Sequence, residues 1–407
     1  MKSEFRVRRS HAKWWFIGAV FLTVLAFGGA LYFSHAFDQN SKIRDVAAPT
    51  AQTAPPHIVA ADAKFLFMGD IFFGRYINDW SEASPLGVKY PFQNLADGFH
   101  RGDYQAWIAN FECPSVAGVN LTSAQMEATL TFNCDPKYLP EVAKYWDAVS
   151  LGNNHTDNQG ASGFAETQQN LAKNNIQYFG SDDPDDVAND CNVIILNVVA
   201  KMSDNSAKTL PLPFGFCGYN GVFKIPSADD IAEIAKFSAV LPTFVMPHMG
   251  AEYQPSADEL REETYRAMVD AGAEMVIGNH PHWVQNTESY DGKLIVYSMG
   301  NFIFDQQSRD TAAATLEVTR SALISVDLSV ANFDAVEKWS AIATQCRGDF
   351  AKCASVAQGL PKLKLSYQFD ALGSRDDNKL VRPATADELG DIKARLNWNA
   401  TMRSLGQ

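Results

Sequence analysis

Five apolar runs in this 407-residue chain are each followed by residues able to hold a cation or move a proton. Phe65–Met68 leads into Gly69-Asp70, and Ala109–Phe111 into Glu112. Ser150-Leu151-Gly152 precedes Asn153-Asn154-His155, and Phe244–Pro247 precedes His248, with Gly250 and Glu252 just beyond. Met275–Ile277 ends in Gly278-Asn279-His280-Pro281-His282. Singly, each has a plain structural explanation: Gly-Asp is a common turn and helix cap, a buried Glu is usually ion-paired, and paired asparagines suit left-handed turns. Together they supply two carboxylates, an amide and several imidazoles. Borderline divalent cations such as Zn²⁺, Mn²⁺ and Fe²⁺ take such mixed oxygen and nitrogen donors, and a two-metal site clamps a phosphoryl group or similar anion.

Such residues converge only if the runs before them are strands of one sheet system with their carboxyl ends at one edge, where open α/β sheets place their sites. The runs fit strands buried on both faces, as do Val193–Val199 and Leu294–Tyr297. Between them Ala161–Lys173, Ala228–Phe237 and Ser256–Ala271 read as helices, so the expected class is a layered α/β architecture. Beyond it, Ala322–Val330 and Leu365–Asp370 read as strands and Thr385–Leu396 as a helix opened by a Thr-x-x-Glu cap. This last part is expected to complete and cover a sheet edge and carries no recognisable chemistry.

The formal charge is −13, and the basic residues cluster at the start: Lys2, Arg6, Arg8, Arg9 and Lys13 precede an uncharged run from Trp14 to Ser34. That run has the roughly 20 residues a spanning helix needs and lacks the small-residue cleavage site of a signal peptide. With the basic residues before it, the expected topology is a single-pass anchor in the cytoplasmic (inner) membrane with the body outside the cytoplasm. The expected organisation is a cytoplasmic basic segment (1–13), an anchor (14–34), an Ala/Pro/Thr-rich flexible linker (35–62), a main domain (63–330) and a C-terminal extension packed on it (331–407). The acidic body offers no basic footprint for nucleic acid.

Export gives the six cysteines meaning, because disulfides persist outside the reducing cytosol. Six cysteines allow 15 connectivities. The sequence-local pairs Cys113–Cys134, Cys191–Cys217 and Cys346–Cys353 are expected, with free buried thiols as the alternative. No pair has the close spacing of a structural zinc site.

Several blocks, in order from about Lys64 to Gln306, resemble the CapA family, capsule proteins tied to poly-γ-glutamate synthesis and export on a calcineurin-like metallophosphoesterase fold. They are Gly69–Arg75, Tyr90-Pro91-Phe92, Ala109–Glu112, Gly152–His155 with Asp157 and Gly160, His248–Tyr253, Gly278–His282 with Gln285, and Tyr297–Asp305. The resemblance implies an αββα domain and one or two divalent ions (Mn, Zn, Fe or Mg). It makes Asp70 the opening ligand of a first metal, Glu112 the bridging carboxylate, Asn154, His248 and His280 ligands of the second, and His282 a return to the first. It implies that His155 protonates the leaving group and Arg75 grips an anionic substrate, with Asn110, Glu252 and Asn301 in substrate binding. It further implies partner membrane subunits of a capsule synthesis and export complex, and an anionic polymer or phosphorylated precursor as substrate.

The sequence departs from the phosphoesterase pattern at Phe72, where Asp-x-His would place an imidazole, and at Glu112, usually an aspartate. It departs from the CapA pattern at Met249, often Trp, and Asn279, often His. Three functions therefore stand at this point: a membrane-anchored metal-dependent hydrolase or transferase, a non-catalytic scaffold or export subunit, and a generic exported metallophosphoesterase.

Overall fold

The computed structural model describes residues 55–183, 185–305, 317, 319–377 and 379–407. The basic segment, the expected anchor at 14–34 and the linker up to residue 54 lie outside the described residues. No helix among the described residues is long and apolar enough to cross a membrane.

The fold is mixed α/β, organised around one long strand, β1 (Ile58–Ile71). Ile58–Asp62 of the segment read as linker already belong to this strand. It has partners at different heights. Near its start Ile58–Asp62 pairs antiparallel with β5 (Cys191–Met202). Midway, Asp62–Phe67 pairs antiparallel with β12 (Arg320–Val330), and Phe65–Ile71 pairs parallel with β2 (Ala106–Phe111). At its end Asp70 and Ile71 meet β11 (Asn301–Ile303).

Two wings follow. The first runs from β2 through β3 (Ala148–Ser150) to β4 (Gln177–Phe179) on one side of β1, and through β12 to β13 (Leu365–Asp377) and β14 (Leu380–Pro383) on the other. The second continues from β5 through β6 (Ala207–Asn220), β7 (Thr243–His248), β8 (Met275–Ile277) and β10 (Lys293–Val296) to β9 (Thr287–Tyr290).

Strand alternation explains why β1 has almost no polar residue in its second half: successive side chains enter different cores. Phe65 and Phe67 point between the wings, with ring centroids 5.7 Å from Phe214 and 5.9 Å from Phe244. Leu66 and Met68 join the opposite core with Trp107, Phe111 and Leu151. Helices α1 (Arg75–Ala83), α2 (Ser123–Thr129) and α3 (Gly160–Lys173) cover that core through Ile77, Met126 and Leu171. Helices α4 (Ala228–Ser238) and α5 (Glu259–Asp270) bury Ile234, Phe237, Tyr265 and Met268 against the second wing.

Strand β6 contains Pro211 and Pro213, residues that a strand tolerates only where no N–H is needed for the ladder. Both lie opposite β5, while pairing with β7 starts only at Gly215. Their missing N–H groups therefore leave no ladder bond unmade. The C-terminal part is integral to the sheet: β13 pairs with β12 from Val330↔Leu365 to Arg320↔Arg375. It then adds α6 (Val336–Cys346), α7 (Phe350–Val356), α8 (Ala386–Arg395) and α9 (Trp398–Leu405). The expected cap on α8 is present as a reciprocal Thr385–Glu388 capping box.

The six cysteines form Cys113–Cys134, Cys191–Cys217 and Cys346–Cys353. Cys191 and Cys217 face each other directly across the β5–β6 ladder.

Asp190, just before β5, is buried. Desolvation, then the negative charges of Asp230, Asp186 and Glu233, push its carboxyl up to about 9. Between the ordinary value near 4 and about 9 the folded chain holds a proton that the unfolded chain has lost, so this group erodes stability as pH rises through that window. Asp190→Asn is therefore expected to raise the thermal midpoint at pH 8 and leave it nearly unchanged at pH 4. Calorimetry at the two pH values checks this.

Candidate metal centre

The parallel ladders set the functional residues in register before any side chain is considered. Asp70 lies opposite Asn110 across β1–β2, and Asn110 lies opposite Ser150 across β2–β3. In the second wing Asn220 lies opposite His248, and His248 bridges to Asn279. Carboxyl ends from both wings thus converge on one point.

The approach of β1 to β11 is close enough to require glycine. A Cβ on Gly69 would lie 1.8 Å from the Gly300 carbonyl oxygen. Two ligand candidates also adopt left-handed backbone, His280 at φ 93° and His282 at φ 60°, a conformation few non-glycine residues hold without compensation.

Two groups of donors result. Glu112, His248 and His280 each present a ligand atom within 4.8 Å of the others, and so do Asp70, Glu112 and His282. Glu112 belongs to both. His248 Nε2 is 3.6 Å from Glu112 Oε1, 3.1 Å from His280 Nδ1 and 2.8 Å from Asn154 Oδ1. Asp70 Oδ1 accepts from Asn110 Nδ2 at 2.8 Å, and Asp70 Oδ2 accepts from the His280 N–H at 3.4 Å. His282 Nδ1 is 2.8 Å from Asn301 Oδ1, while its Nε2 lies 3.8 Å from Glu252, a half-exposed carboxylate.

These groups are buried: Asp70, Glu112 and His248 are fully enclosed, and His280 and His282 nearly so. Desolvation pushes Asp70 up to about 7 and, joined by the charge of Asp70, raises Glu112 well above the usual carboxylate range. Burial and mutual repulsion depress His248 and His280. Neither oxygen of Glu112 accepts a hydrogen bond from an N–H or hydroxyl donor, and its carboxyl group faces that of Asp70. A buried carboxylate without donors is costly, and a divalent cation held by these donors removes that cost. The donor set fits one or two such ions.

His155 lies at the edge of the group. Its ring stacks on Phe132 at 4.2 Å and its Nδ1 is 3.0 Å from Asn158 Oδ1. Burial, above all, pulls it down to about 4, with smaller contributions from the neighbouring His282 and Arg75 side chains. Phe72 supplies no ligand, its ring packing between Phe132 and Phe304. Met249 and Asn279 are both buried within the second wing's strand ends. Arg75, read from the sequence as a grip for substrate, is buried, with Nε and Nη2 both donating to Asp305.

One residue of the sequence blocks, Asn153, is given no role by the sequence alone. Asn153 Oδ1 accepts from the N–H groups of His155 and Thr156, and Asn153 Nδ2 donates to Asn110 Oδ1 and to the Phe111 carbonyl. It ties the turn bearing Asn154 and His155 to the strand end bearing Asn110 and Glu112. Its position next to Asn154 was the only available signal, and a single amide there does not announce four partners.

The segment that carries these strand ends and buried donors matches the family model of the bacterial capsule synthesis protein PGA_cap over residues 64–306. The chain belongs to this family. It is 27% identical over 342 residues to the PGA biosynthesis protein CapA of Bacillus subtilis (strain 168), spanning 79% of this chain and 85% of that one. It is also 27% identical over 260 residues to the capsule biosynthesis protein CapA of Bacillus anthracis, spanning 60% of this chain and 61% of that one.

Because no side chain fits between β1 and β11, Gly69→Ala is expected to cost about 1–3 kcal/mol and to displace Asp70. Chemical denaturation of the metal-free protein measures the first effect.

Proposed function

We propose that this chain is a metal-dependent hydrolase or transferase of capsule assembly, acting outside the cytoplasm on an anionic polymer such as poly-γ-glutamate or on a phosphorylated precursor. The observation that carries the reading is Glu112, buried, without hydrogen-bond donors and common to both donor groups. A chain that binds no ion gains nothing from retaining such a residue at the meeting point of two wings.

In this reading Glu112, Asn154, His248 and His280 hold one cation, and Asp70, Glu112 and His282 a second, on a layered metallophosphoesterase-like domain. Bound divalent cations supply Lewis acidity and bring the ionisation of a water toward neutral pH. Asn110 fixes Asp70, and Asn301 fixes His282. His155 is neutral before substrate arrives; an anion bound beside it favours its protonated form and prepares it to donate to a leaving group. Glu252 stands at the exposed side of His282, where it contacts substrate.

The names of the relatives support capsule polymer as the setting, with partner membrane subunits of a synthesis and export complex. The three disulfides support an extracytoplasmic body, and the uncharged 14–34 run supports an inner-membrane anchor. Phe72 favours a second reading, a scaffold that keeps the fold and one ion without turnover.

Elemental analysis of the purified full chain, with hydrolysis of a generic phosphodiester and of poly-γ-glutamate, separates the two. Near-stoichiometric metal is expected, lost in His280→Ala/His282→Ala with the fold intact by circular dichroism. Turnover is expected to fall by about 10²–10⁴-fold in His155→Ala. A folded protein that takes up neither Mn²⁺ nor Zn²⁺ and turns over neither substrate would refute the enzyme reading.

A further inference from the structure

Arg75 is where the structure departs furthest from what the sequence implied. Its side chain is 3% exposed. Nε donates to Asp305 Oδ2 at 2.9 Å and Nη2 to Asp305 Oδ1, while Nη1 lies 3.5 Å from Glu127. The guanidinium lies among three rings: its central carbon is 4.5 Å from the Phe132 centroid, 5.2 Å from Phe72 and 5.8 Å from Phe304.

Two of those rings also contact imidazoles. Phe132 stacks on His155 at 4.2 Å, and Phe304 lies 5.4 Å from His282. Phe72 stacks on Phe304 at 5.0 Å and contacts Phe132 at 5.1 Å, closing the cage. Arg75 also holds φ at 39°, a strained value that persists only where the surroundings over-determine it. A bidentate carboxylate pair supplies that determination. Planar stacking on aromatic faces distinguishes Arg from Lys.

We propose that Arg75 is a positioning residue: locked by Asp305, it sets Phe132 and Phe304, and through them the placement of His155 and His282. The phenylalanine at position 72 is then part of the device, because an imidazole there would remove one of the rings that grip the guanidinium. Recognition of an anionic substrate falls to other groups. The role assigned to the two histidines rests on the proposed function; the placement of their rings does not.

The test uses the full chain labelled with ¹³Cε1-histidine, metal-free, with the His155 resonance assigned by its loss in His155→Gln. In Arg75→Met the His155 resonance is expected to shift toward its value in Phe132→Leu, since a ring-current displacement depends on stacking at this distance. Arg75→Lys, which keeps a charge for Asp305 but loses the planar face, is expected to shift it in the same direction and not to rescue. An unmoved His155 resonance in folded Arg75→Met, or in Arg75→Lys if the Met variant does not fold, overturns the proposal. Where turnover is measurable, kcat is expected to fall by about tenfold to a hundredfold with KM nearly unchanged. A raised KM with kcat intact would instead make Arg75 a substrate contact. The resonance arm stands without any turnover, so failure of the enzyme reading and failure of this one give different results.

Discussion

Everything at the candidate centre depends on one strand serving two wings. β1 meets β5 at its start, β12 and β2 along its middle and β11 at its end. Because Phe65 and Phe67 pack against Phe214 and Phe244, the second wing cannot slide relative to the first without breaking these aromatic contacts. Core packing tolerates such shifts poorly. The distance between Asp70 on one wing and His248 on the other is thereby fixed by hydrophobic contacts well away from either residue.

That rigidity makes the electrostatics of the centre unusual. Two carboxyl groups and two imidazoles, those of Asp70, Glu112, His248 and His280, are enclosed with little water to solvate them, so charge is suppressed on all four. A packed frame prevents the carboxylates from turning outward to relieve their burial. The strain in the backbone at His280 and His282 belongs to the same bargain: both rings face inward only because the chain takes left-handed steps on either side of Pro281.

Much of this could be seen in the sequence because strand ends leave a readable trace. An apolar run broken by Asp70, Glu112 or His248 marks where a buried strand meets a site. The Thr385 cap is equally local. What could not be seen was non-local. Nothing near Pro211 and Pro213 tells that their side of β6 has no partner. Nothing near Arg75 tells that Asp305, far along the chain, occupies its guanidinium. The dual membership of Glu112 is likewise a property of two wings meeting, and Asn153 acquires its importance only from four groups that the fold assembles around it.

The disulfide between Cys113 and Cys134 adjoins these pieces closely. Cys113 follows Glu112 in the chain, Cys134 follows Asn133 and Phe132, and the Cys134 sulfur also meets the Phe73 N–H at 3.1 Å. A single covalent tie thus fastens the segment bearing the shared carboxylate to the segment bearing the ring beneath His155. It reinforces hydrogen bonds that join the same segments, from the Cys134 N–H to the Pro114 carbonyl at 2.8 Å and between the Asn133 amide and the Val116 backbone. The shared carboxylate and the ring beside His155 thus sit at the two ends of one covalent link, so a change in the redox state of that link bears on both at once.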